Sequence, residues 1–180
     1  MLKVGVLGAG HLGKIHLRLL NQSEKYELVG FYDENPEYAE KIAAEFGYKR
    51  FDTIAKLIHA VDVIDIVTPT LSHYKCAKVS IKSGKHVFIE KPLADTVAGA
   101  ERVAAKAKEK NKKVVVGYIL RHHPSWEKFV EVASGLGRPL VMRMNLNQQS
   151  HGYMWDVHRN LMKSLRTIVD CGVHYIDVMC

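Results

Sequence analysis

Three glycines near the start of the chain constrain its fold more than any other feature does. They are Gly8, Gly10 and Gly13, and they directly follow the short apolar run 2–7. Apolar residues then recur at helical spacing from Ile15 onward. An apolar run, a glycine cluster and an amphipathic stretch, in this order, predict a strand, a tight turn and a helix.

The alternation of apolar runs with helical patterns continues as far as residue 118. Further strands are predicted at 28–32, 61–67, 86–89 and 113–118, and helices between them at 36–46, 53–59, 72–82 and 96–111. Near-continuous apolar strands separated by helices are typical of a parallel sheet that is covered on both faces. We therefore predict an α/β fold with a doubly wound parallel sheet.

The pattern changes near residue 120, where basic residues and Pro124 interrupt the alternation. A helix that ends at residue 134, a strand at 139–147 and a helix at 170–180 are predicted to follow. Residues 1–120 are predicted to form one domain, and residues 121–180 the start of a second, α+β domain. Because a helix and one strand cannot close a hydrophobic core, we expect the second domain to be truncated here, or completed by another subunit.

The net charge of +7 comes from 26 Lys and Arg residues against 19 Asp and Glu residues, mostly scattered along the chain. The densest basic cluster, at 106–113, lies where a predicted helix ends, and cations at that end complement the helix dipole. A nucleic-acid partner would favour positive charge concentrated on one element. No nucleic-acid partner is therefore predicted.

Cysteine spacing and the apolar runs bear on location and on metals. Cys76, Cys171 and Cys180 lie far apart and lack the spacing of a metal site. The chain begins with a strand pattern instead of a charged and apolar leader. No apolar stretch approaches the roughly 18 to 20 residues that a membrane span requires. These features predict a reduced, cytoplasmic protein without a bound metal and without a membrane span.

The glycines form the pattern G-x-G-x-x-G, which includes His11 and Leu12. At the start of a helix, backbone amides and the positive end of the helix dipole can hold a pyrophosphate. Cofactor contacts are therefore predicted at Gly8, Gly10, His11, Leu12 and Gly13. The alternative is a glycine turn that only packs a helix closely against its strand.

Asp33 lies 20 residues after Gly13, at the end of the second predicted strand. A carboxylate at this place accepts hydrogen bonds from the ribose hydroxyls of a dinucleotide. Because Asp33 would also repel a 2′-phosphate, NAD is predicted as the cofactor in preference to NADP. Lys41 and Arg50 could weaken this preference, and the alternative for Asp33 is a routine aspartate at a strand end.

Thr68 and Pro69 directly follow a predicted strand. The carboxyl ends of strands line the ligand crevice in open parallel sheets, so both residues are predicted to contact the cofactor. Thr70 or Ser72 can instead cap the next helix, and for Ser72 the capping role is favoured. His73 is either a further cofactor-binding residue or a surface histidine.

Glu90, Lys91 and Pro92 close another predicted strand at its carboxyl end. A lysine there projects toward the cofactor and can donate a hydrogen bond to a substrate oxygen, while Pro92 restrains the backbone that aims it. Glu90 and Lys91 are therefore predicted as cofactor contacts and Lys91 also as a catalytic residue. The alternative is an exposed lysine before a turn.

Asp170 and His174 are four residues apart in a predicted helix, so they share one face. The carboxylate can orient the imidazole and raise its basicity, which suits removal of a proton from an alcohol. The pattern alone favours a helix-start aspartate and a buried histidine. Asp177 is a more distant candidate for the same site.

Together these residues resemble the Gfo/Idh/MocA oxidoreductase family. The resemblance covers the whole chain and rests on the order and spacing of the glycine turn, Thr68-Pro69 with His73, Glu90-Lys91-Pro92, and Asp170-x-Gly172-x-His174-x-x-Asp177. It implies an N-terminal Rossmann domain and a C-terminal domain with a large, mostly antiparallel sheet that commonly mediates dimers or tetramers. A homo-oligomer is therefore expected for the full-length protein.

The resemblance also implies individual roles. Lys91 contacts substrate and nicotinamide, His174 is the general acid or base, and Asp170 supports His174. Residues 164–169 depart from the glycine-rich segment that often precedes the aspartate in the family, which leaves the substrate shape open.

The predicted function is therefore an NAD(P)-dependent dehydrogenase that acts on an alcohol carbon of a sugar, polyol or related small molecule. Two alternatives are a non-catalytic dinucleotide-binding regulator or sensor, and a chain that by itself only binds the nucleotide.

Overall fold

The computed structural model of the chain describes residues 1–138, 141–143 and 172–180. The chain divides into two compact units, Met1–Gly117 and Tyr118–Cys180.

Five parallel strands form the sheet of the first unit. They are β1 (Leu2–Leu7), β2 (Tyr26–Tyr32), β3 (Val63–Ile66), β4 (His86–Ile89) and β5 (Val114–Val116), and they lie in the order β2-β1-β3-β4-β5. The predicted parallel sheet is confirmed, with β3 and β5 shorter than their apolar runs.

Helices alternate with these strands as the sequence predicts. They are α1 (His11–Asn21), α2 (Pro36–Phe46), α3 (Ile54–Ala60), α4 (Thr70–Lys82) and α5 (Val97–Glu109). Side-chain oxygens of Asn35, Thr53 and Thr96 accept hydrogen bonds from backbone amides in the first turns of α2, α3 and α5. These caps satisfy amides that have no partner inside a helix, so the helix starts are specified locally.

The hydrophobic core lies on both faces of the sheet. Val6 packs in one cluster with buried residues of α1 and α2, whereas Leu7 packs in another with buried residues of α3, α4 and α5. Because successive side chains of a strand point to opposite faces, helices cover both sides of the sheet. The doubly wound architecture is confirmed.

A single bridge extends the sheet beyond β2, and the sequence analysis did not predict it. Phe31 pairs in parallel with Arg50: the Phe31 amide donates to Lys49 O at 2.9 Å and the Phe51 amide donates to Phe31 O at 2.8 Å. Gly30 permits this approach, since a Cβ there would lie 2.3 Å from Lys49 O. The bridge adds the rudiment of a strand next to β2, as in the strand order of the Rossmann fold.

The second unit consists, in its described residues, of short helices. They are a 3-10 turn (Ile119–His122), α6 (Pro124–Ser134) and α7 (Val173–Met179). Arg121 Nε and Nη2 each lie 2.7 Å from a carboxylate oxygen of Asp177, and the Trp126 ring packs edge-on against Tyr175. The strand predicted at 139–147 lies outside the described residues except for 141–143. In the described part of the chain, no helix is long and apolar enough to cross a membrane.

Gly13→Ala is expected to lower the free energy of unfolding by about 3 kcal/mol, because overpacking against a fixed neighbour is costly. A Cβ at Gly13 would lie 2.1 Å from the carbonyl oxygen of Gly8, which cannot yield without opening the turn. Urea denaturation monitored by circular dichroism measures the change. Gly10→Ala is the matched control, since a Cβ there meets no atom within 4 Å, and it should change stability by less than about 0.5 kcal/mol. Equal losses in the two variants would show that the contact with Gly8 does not set the helix position.

Candidate functional site

The glycine turn joins β1 to α1 and leaves a row of amides without helical partners. Gly8 has a φ of +94°, and a Cβ there would lie 2.7 Å from Val67 O, so only glycine fits. The first bond inside α1 runs from the Lys14 amide to Gly10 O at 3.0 Å. The preceding amides of α1 therefore point out of its positive end, and its first turn carries no acidic side chain. No atom lies within 4 Å of a Cβ built at Gly10, so a diphosphate has room to approach these amides.

Asp33 follows β2 and turns its carboxylate back toward the glycine turn. Its Oδ2 accepts a hydrogen bond from the Ala9 amide at 2.8 Å, and its Oδ1 accepts one from the Asn35 amide at 3.0 Å. These two bonds fix the carboxylate beside the turn. Because each carboxylate oxygen can accept a second hydrogen bond, Asp33 can also accept the hydroxyls of a ribose.

A cavity of about 970 Å³ opens at the edge of the sheet where the carboxyl ends of the strands lie. Residues that follow β1, β2 and β3 line it together with apolar side chains of α3: they include Gly8, Asp33, Thr68, Pro69, Ile54 and Ile58. Its size and its mixture of apolar walls with a few polar groups are typical of a small-molecule site. The structure thus brings Gly8, Asp33, Thr68 and Pro69 to one cavity.

The residues after β3 correct two predictions. Helix α4 begins at Thr70, and Ser72 lies inside it with its hydroxyl 2.8 Å from Thr68 Oγ1 and 2.7 Å from Pro69 O. The predicted cap at Ser72 is wrong, because the helix starts earlier and the hydroxyl contacts oxygens of the preceding turn. His73 is 1% exposed, so the surface alternative for this residue is wrong as well.

His73 joins two segments that carry predicted site residues. Its Nδ1 lies 2.7 Å from Pro92 O and its Nε2 lies 2.8 Å from Thr68 O. The ring therefore ties the end of β3 to the segment that follows Lys91. A direct contact of His73 with a cofactor stays a prediction.

A cluster of three ionisable residues lies beside the end of β4, and the sequence analysis missed it. His16 on α1 has Nδ1 2.9 Å from Asp65 Oδ2 and Nε2 3.4 Å from Glu90 Oε1. The three side chains are 15%, 6% and 12% exposed. Asp65 was the available signal, since a carboxylate within an apolar strand requires a partner.

The charge state of the cluster follows from its burial and its geometry. Burial lowers the pKa of His16, but hydrogen bonds and attraction from Asp65 and Glu90 outweigh it and raise the pKa to about 9. Burial raises the pKa of Asp65, and the hydrogen bond from His16 opposes that shift. At neutral pH His16 is therefore an imidazolium, with a proton on each ring nitrogen.

Lys91 directly follows Glu90, and the Lys91–Pro92 peptide is cis. The Lys91 amide donates to Glu90 Oε2 at 3.3 Å, so Glu90 contacts both His16 and the backbone of Lys91. A direct contact of Glu90 with the cofactor stays a prediction.

In the second unit the structure places two of the three predicted residues of the aspartate and histidine pattern. His174 lies on α7, with its ring edge-on to Tyr118 at 6.3 Å between centroids. Asp177 pairs through both carboxylate oxygens with Arg121, a residue without a predicted partner. Asp170 lies outside the described residues, so its pairing with His174 stays a prediction.

The chain belongs to the Gfo/Idh/MocA family. The model of this oxidoreductase family, described as having an NAD-binding Rossmann fold, matches residues 2–118. The match covers the first unit with its glycine turn, Asp33 and Lys91, and it confirms the family that the sequence resembles.

Dehydrogenases of sugars and polyols are among the similar proteins. The UDP-N-acetylglucosamine 3-dehydrogenase of Acidithiobacillus ferrooxidans is 34% identical over 143 residues, which are 77% of this chain and 44% of that protein. The inositol 2-dehydrogenase/D-chiro-inositol 3-dehydrogenase of Lacticaseibacillus casei is 32% identical over 190 residues, 99% of this chain and 52% of that protein. The chain thus spans about half the length of the curated relatives that it matches.

Solved structures of similar fold include complexes with either nicotinamide cofactor. GenD2 from gentamicin A biosynthesis, in complex with NAD, matches with a TM-score of 0.69 and 26% identity over 74% of this chain and 39% of that chain. Biliverdin reductase from Synechocystis, in complex with biliverdin and NADP⁺, matches with a TM-score of 0.68 and 25% identity over 76% of this chain and 44% of that chain.

His16→Asn is expected to destabilise the fold in a pH-dependent manner, because the bound imidazolium stabilises the folded state. The difference in free energy of unfolding should be about 2 kcal/mol, as for hydrogen bonds to charged groups. It should be complete below about pH 6.5 and lost as the pH rises through about 9, since folding raises the pKa of His16. Urea titrations of both proteins across this range measure it. A difference that does not vary with pH would contradict the charged state of His16.

Proposed function

We propose that the protein is a dehydrogenase that transfers a hydride between a nicotinamide cofactor, NAD, and an alcohol carbon of a sugar or polyol. The observation that carries the proposal is the position of Asp33 and the glycine turn at one cavity. Two comparisons support the proposal. The family model is described as NAD-binding, and relatives of the chain include dehydrogenases of cyclic polyhydroxyl compounds.

In this proposal the chain binds and orients the cofactor with separate elements. The amides of His11, Leu12 and Gly13 at the start of α1 hold the diphosphate. Asp33 accepts the ribose hydroxyls, and Thr68 and Pro69 line the crevice beside them. NAD, when bound, supplies the hydride acceptor at its nicotinamide ring.

The proposed reaction needs a group that binds the substrate oxygen and one that exchanges its proton. The family resemblance gives the first role to Lys91 and the second to His174, with Asp170 as the partner that orients His174. The ammonium of Lys91 stabilises negative charge on the substrate oxygen as the proton leaves.

The surroundings of Asp33 support NAD in preference to NADP. A 2′-phosphate would meet the Asp33 carboxylate, which repels it. Arg50 is one cation that could offset this repulsion, but it pairs with other groups. Its Nη2 lies 2.9 Å from Asp52 Oδ1, and its Nη1 lies 3.4 Å from Glu40 Oε2 and donates to Pro36 O at 3.3 Å. Lys41 is exposed on α2.

We also propose the setting in which the enzyme works. Residues 1–120 act as the dinucleotide-binding domain, and residues 121–180 begin the domain that binds substrate and assembles the homo-oligomer. The enzyme is cytoplasmic and has no nucleic-acid partner, because its charge is scattered along the chain.

Lys91→Met tests the proposed function directly. The complete protein is assayed with NAD and a panel of myo-inositol, UDP-N-acetylglucosamine and glucose 6-phosphate, by the absorbance of the reduced nicotinamide. The wild type should turn over at least one of these, and Lys91→Met should lower kcat about 1,000-fold, because proton transfer and charge stabilisation contribute effects of this size. The Kd for NAD should stay within about threefold, since Lys91 acts on the substrate oxygen.

The matched control is Lys82→Met, which removes an exposed lysine in the last turn of α4 and should leave kcat unchanged. Full turnover by Lys91→Met would remove Lys91 from the reaction. Loss of NAD binding alone, with turnover at saturating NAD intact, would make Lys91 only a cofactor-binding residue.

A further inference from the structure

We infer that His16 is a positioning residue: its imidazolium holds the Glu90 carboxylate against the Lys91 amide and thereby fixes the backbone from which the Lys91 side chain extends. The inference rests on the proposed function for the importance of Lys91, although its structural part stands independently. His16 itself lies on α1 and acts on Lys91 only through Glu90.

The two oxygens of Glu90 have different partners. Oε1 lies 3.4 Å from His16 Nε2, and Oε2 accepts the Lys91 amide at 3.3 Å. Both contacts are long, and the amide is an uncharged donor on the adjacent residue, so it needs a second, charged anchor to determine the direction of the carboxylate. His16 supplies that anchor from a different element of the fold.

Gly117 makes the place that the Glu90 carboxylate occupies. A Cβ at Gly117 would lie 2.8 Å from Glu90 Oε1 and 3.1 Å from its carboxyl carbon. A side chain at position 117 would therefore displace the carboxylate from this place. The position of Glu90 is thus set from two sides, by the charge of His16 and by the missing side chain of Gly117.

The charge balance explains why His16 is needed. Asp65 and Glu90 bring two carboxylates to one imidazolium, and Asp65 Oδ1 is buried without a hydrogen-bond partner among the described residues. Without the positive charge, two poorly solvated carboxylates remain close together and repel each other. Glu90 is the one that can move, since Asp65 is the more deeply buried and lies within β3.

Other ionisable groups lie near His16, and their titration must be distinguished from that of His16. Tyr26, His86 and Lys113 line the same groove as His16 and Asp65, on β2, on β4 and just before β5. His86 is half-buried, and its Nδ1 accepts the Lys113 amide at 3.0 Å. It offers a matched control, since it is a histidine of the same groove whose Nδ1 accepts from the Lys113 amide, whereas His16 pairs with Glu90.

The experiment follows the Lys91 backbone amide of the ¹⁵N-labelled chain by NMR from about pH 6 to pH 10, together with the ring of His16. In the wild type, the Lys91 amide should shift with a midpoint of about 9, the same as that of His16. In His16→Gln the shift with this midpoint should disappear, and in His86→Gln it should persist. Should His16→Gln fail to fold, Glu90→Gln and Gly117→Ala give the same readout, since each should uncouple the Lys91 amide from the His16 ring.

A Lys91 amide that does not respond to the titration of His16, or that responds equally in His16→Gln, would overturn the inference. The kinetic readout separates positioning from a structural role. In the complete protein, His16→Gln should lower kcat about 10- to 100-fold, because small displacements of catalytic groups have effects of this size, with the KM for NAD within about threefold. An equal effect on the KM for NAD, with an unchanged Lys91 amide, would assign His16 to general stability and contradict the proposal.

The two proposals fail differently. If the wild type oxidises no alcohol, the proposed function fails, but the coupling of the Lys91 amide to His16 is still decided by NMR. If turnover depends on Lys91 but not on His16, the proposed function stands and the positioning role is refuted.

Discussion

The parallel alignment of the strands is the constraint on which the site depends. In a parallel sheet all carboxyl ends lie at one edge, so residues far apart in sequence follow their strands into the same region. The glycine turn follows β1, Asp33 follows β2, Thr68 follows β3 and Lys91 follows β4. Each contributes a different chemical group, and the cavity beside Asp33 and Thr68 is the space that their strands leave open.

The cluster of His16, Asp65 and Glu90 shows how the fold accepts charge inside this frame. Three ionisable side chains with little exposure would be costly if any one stood alone. The imidazolium of His16 reduces the cost, because it donates to Asp65 from Nδ1 and forms an ion pair with Glu90 through Nε2. One oxygen of Asp65 remains without a described partner, which makes the cluster dependent on the charge of His16. In the proposed positioning role, this charge holds Glu90 and, through it, the backbone at Lys91.

Local patterns predicted most of the architecture. The apolar runs and helical spacing marked each strand and helix of the first unit, because burial on both faces leaves a strong periodic signal. The glycine turn and Asp33 were also found, since their roles depend on spacing within one βαβ unit. The bridge at Arg50 was missed, because a single pair of residues carries no periodicity.

The His16 cluster could not be found by the same means. His16 and Asp65 are 49 residues apart, and no pattern within a single helix or strand relates residues at that separation. Only Asp65, a charge in an apolar strand, hinted that a partner existed. Serine is a favoured residue at helix N-caps, so Ser72 was predicted to cap α4. In the structure α4 begins at Thr70, two residues earlier.

The most direct test of the central claim is a calorimetric titration of the purified chain with NAD and with NADP, comparing the wild type with Asp33→Ala. Glu45→Ala, which removes an exposed carboxylate of α2, is the control. We expect NAD to bind in the micromolar range, NADP to bind more weakly, and removal of the Asp33 carboxylate alone to lower NAD affinity at least about tenfold. Equal binding of NAD by the wild type and Asp33→Ala, or no binding by the folded wild type, would contradict it.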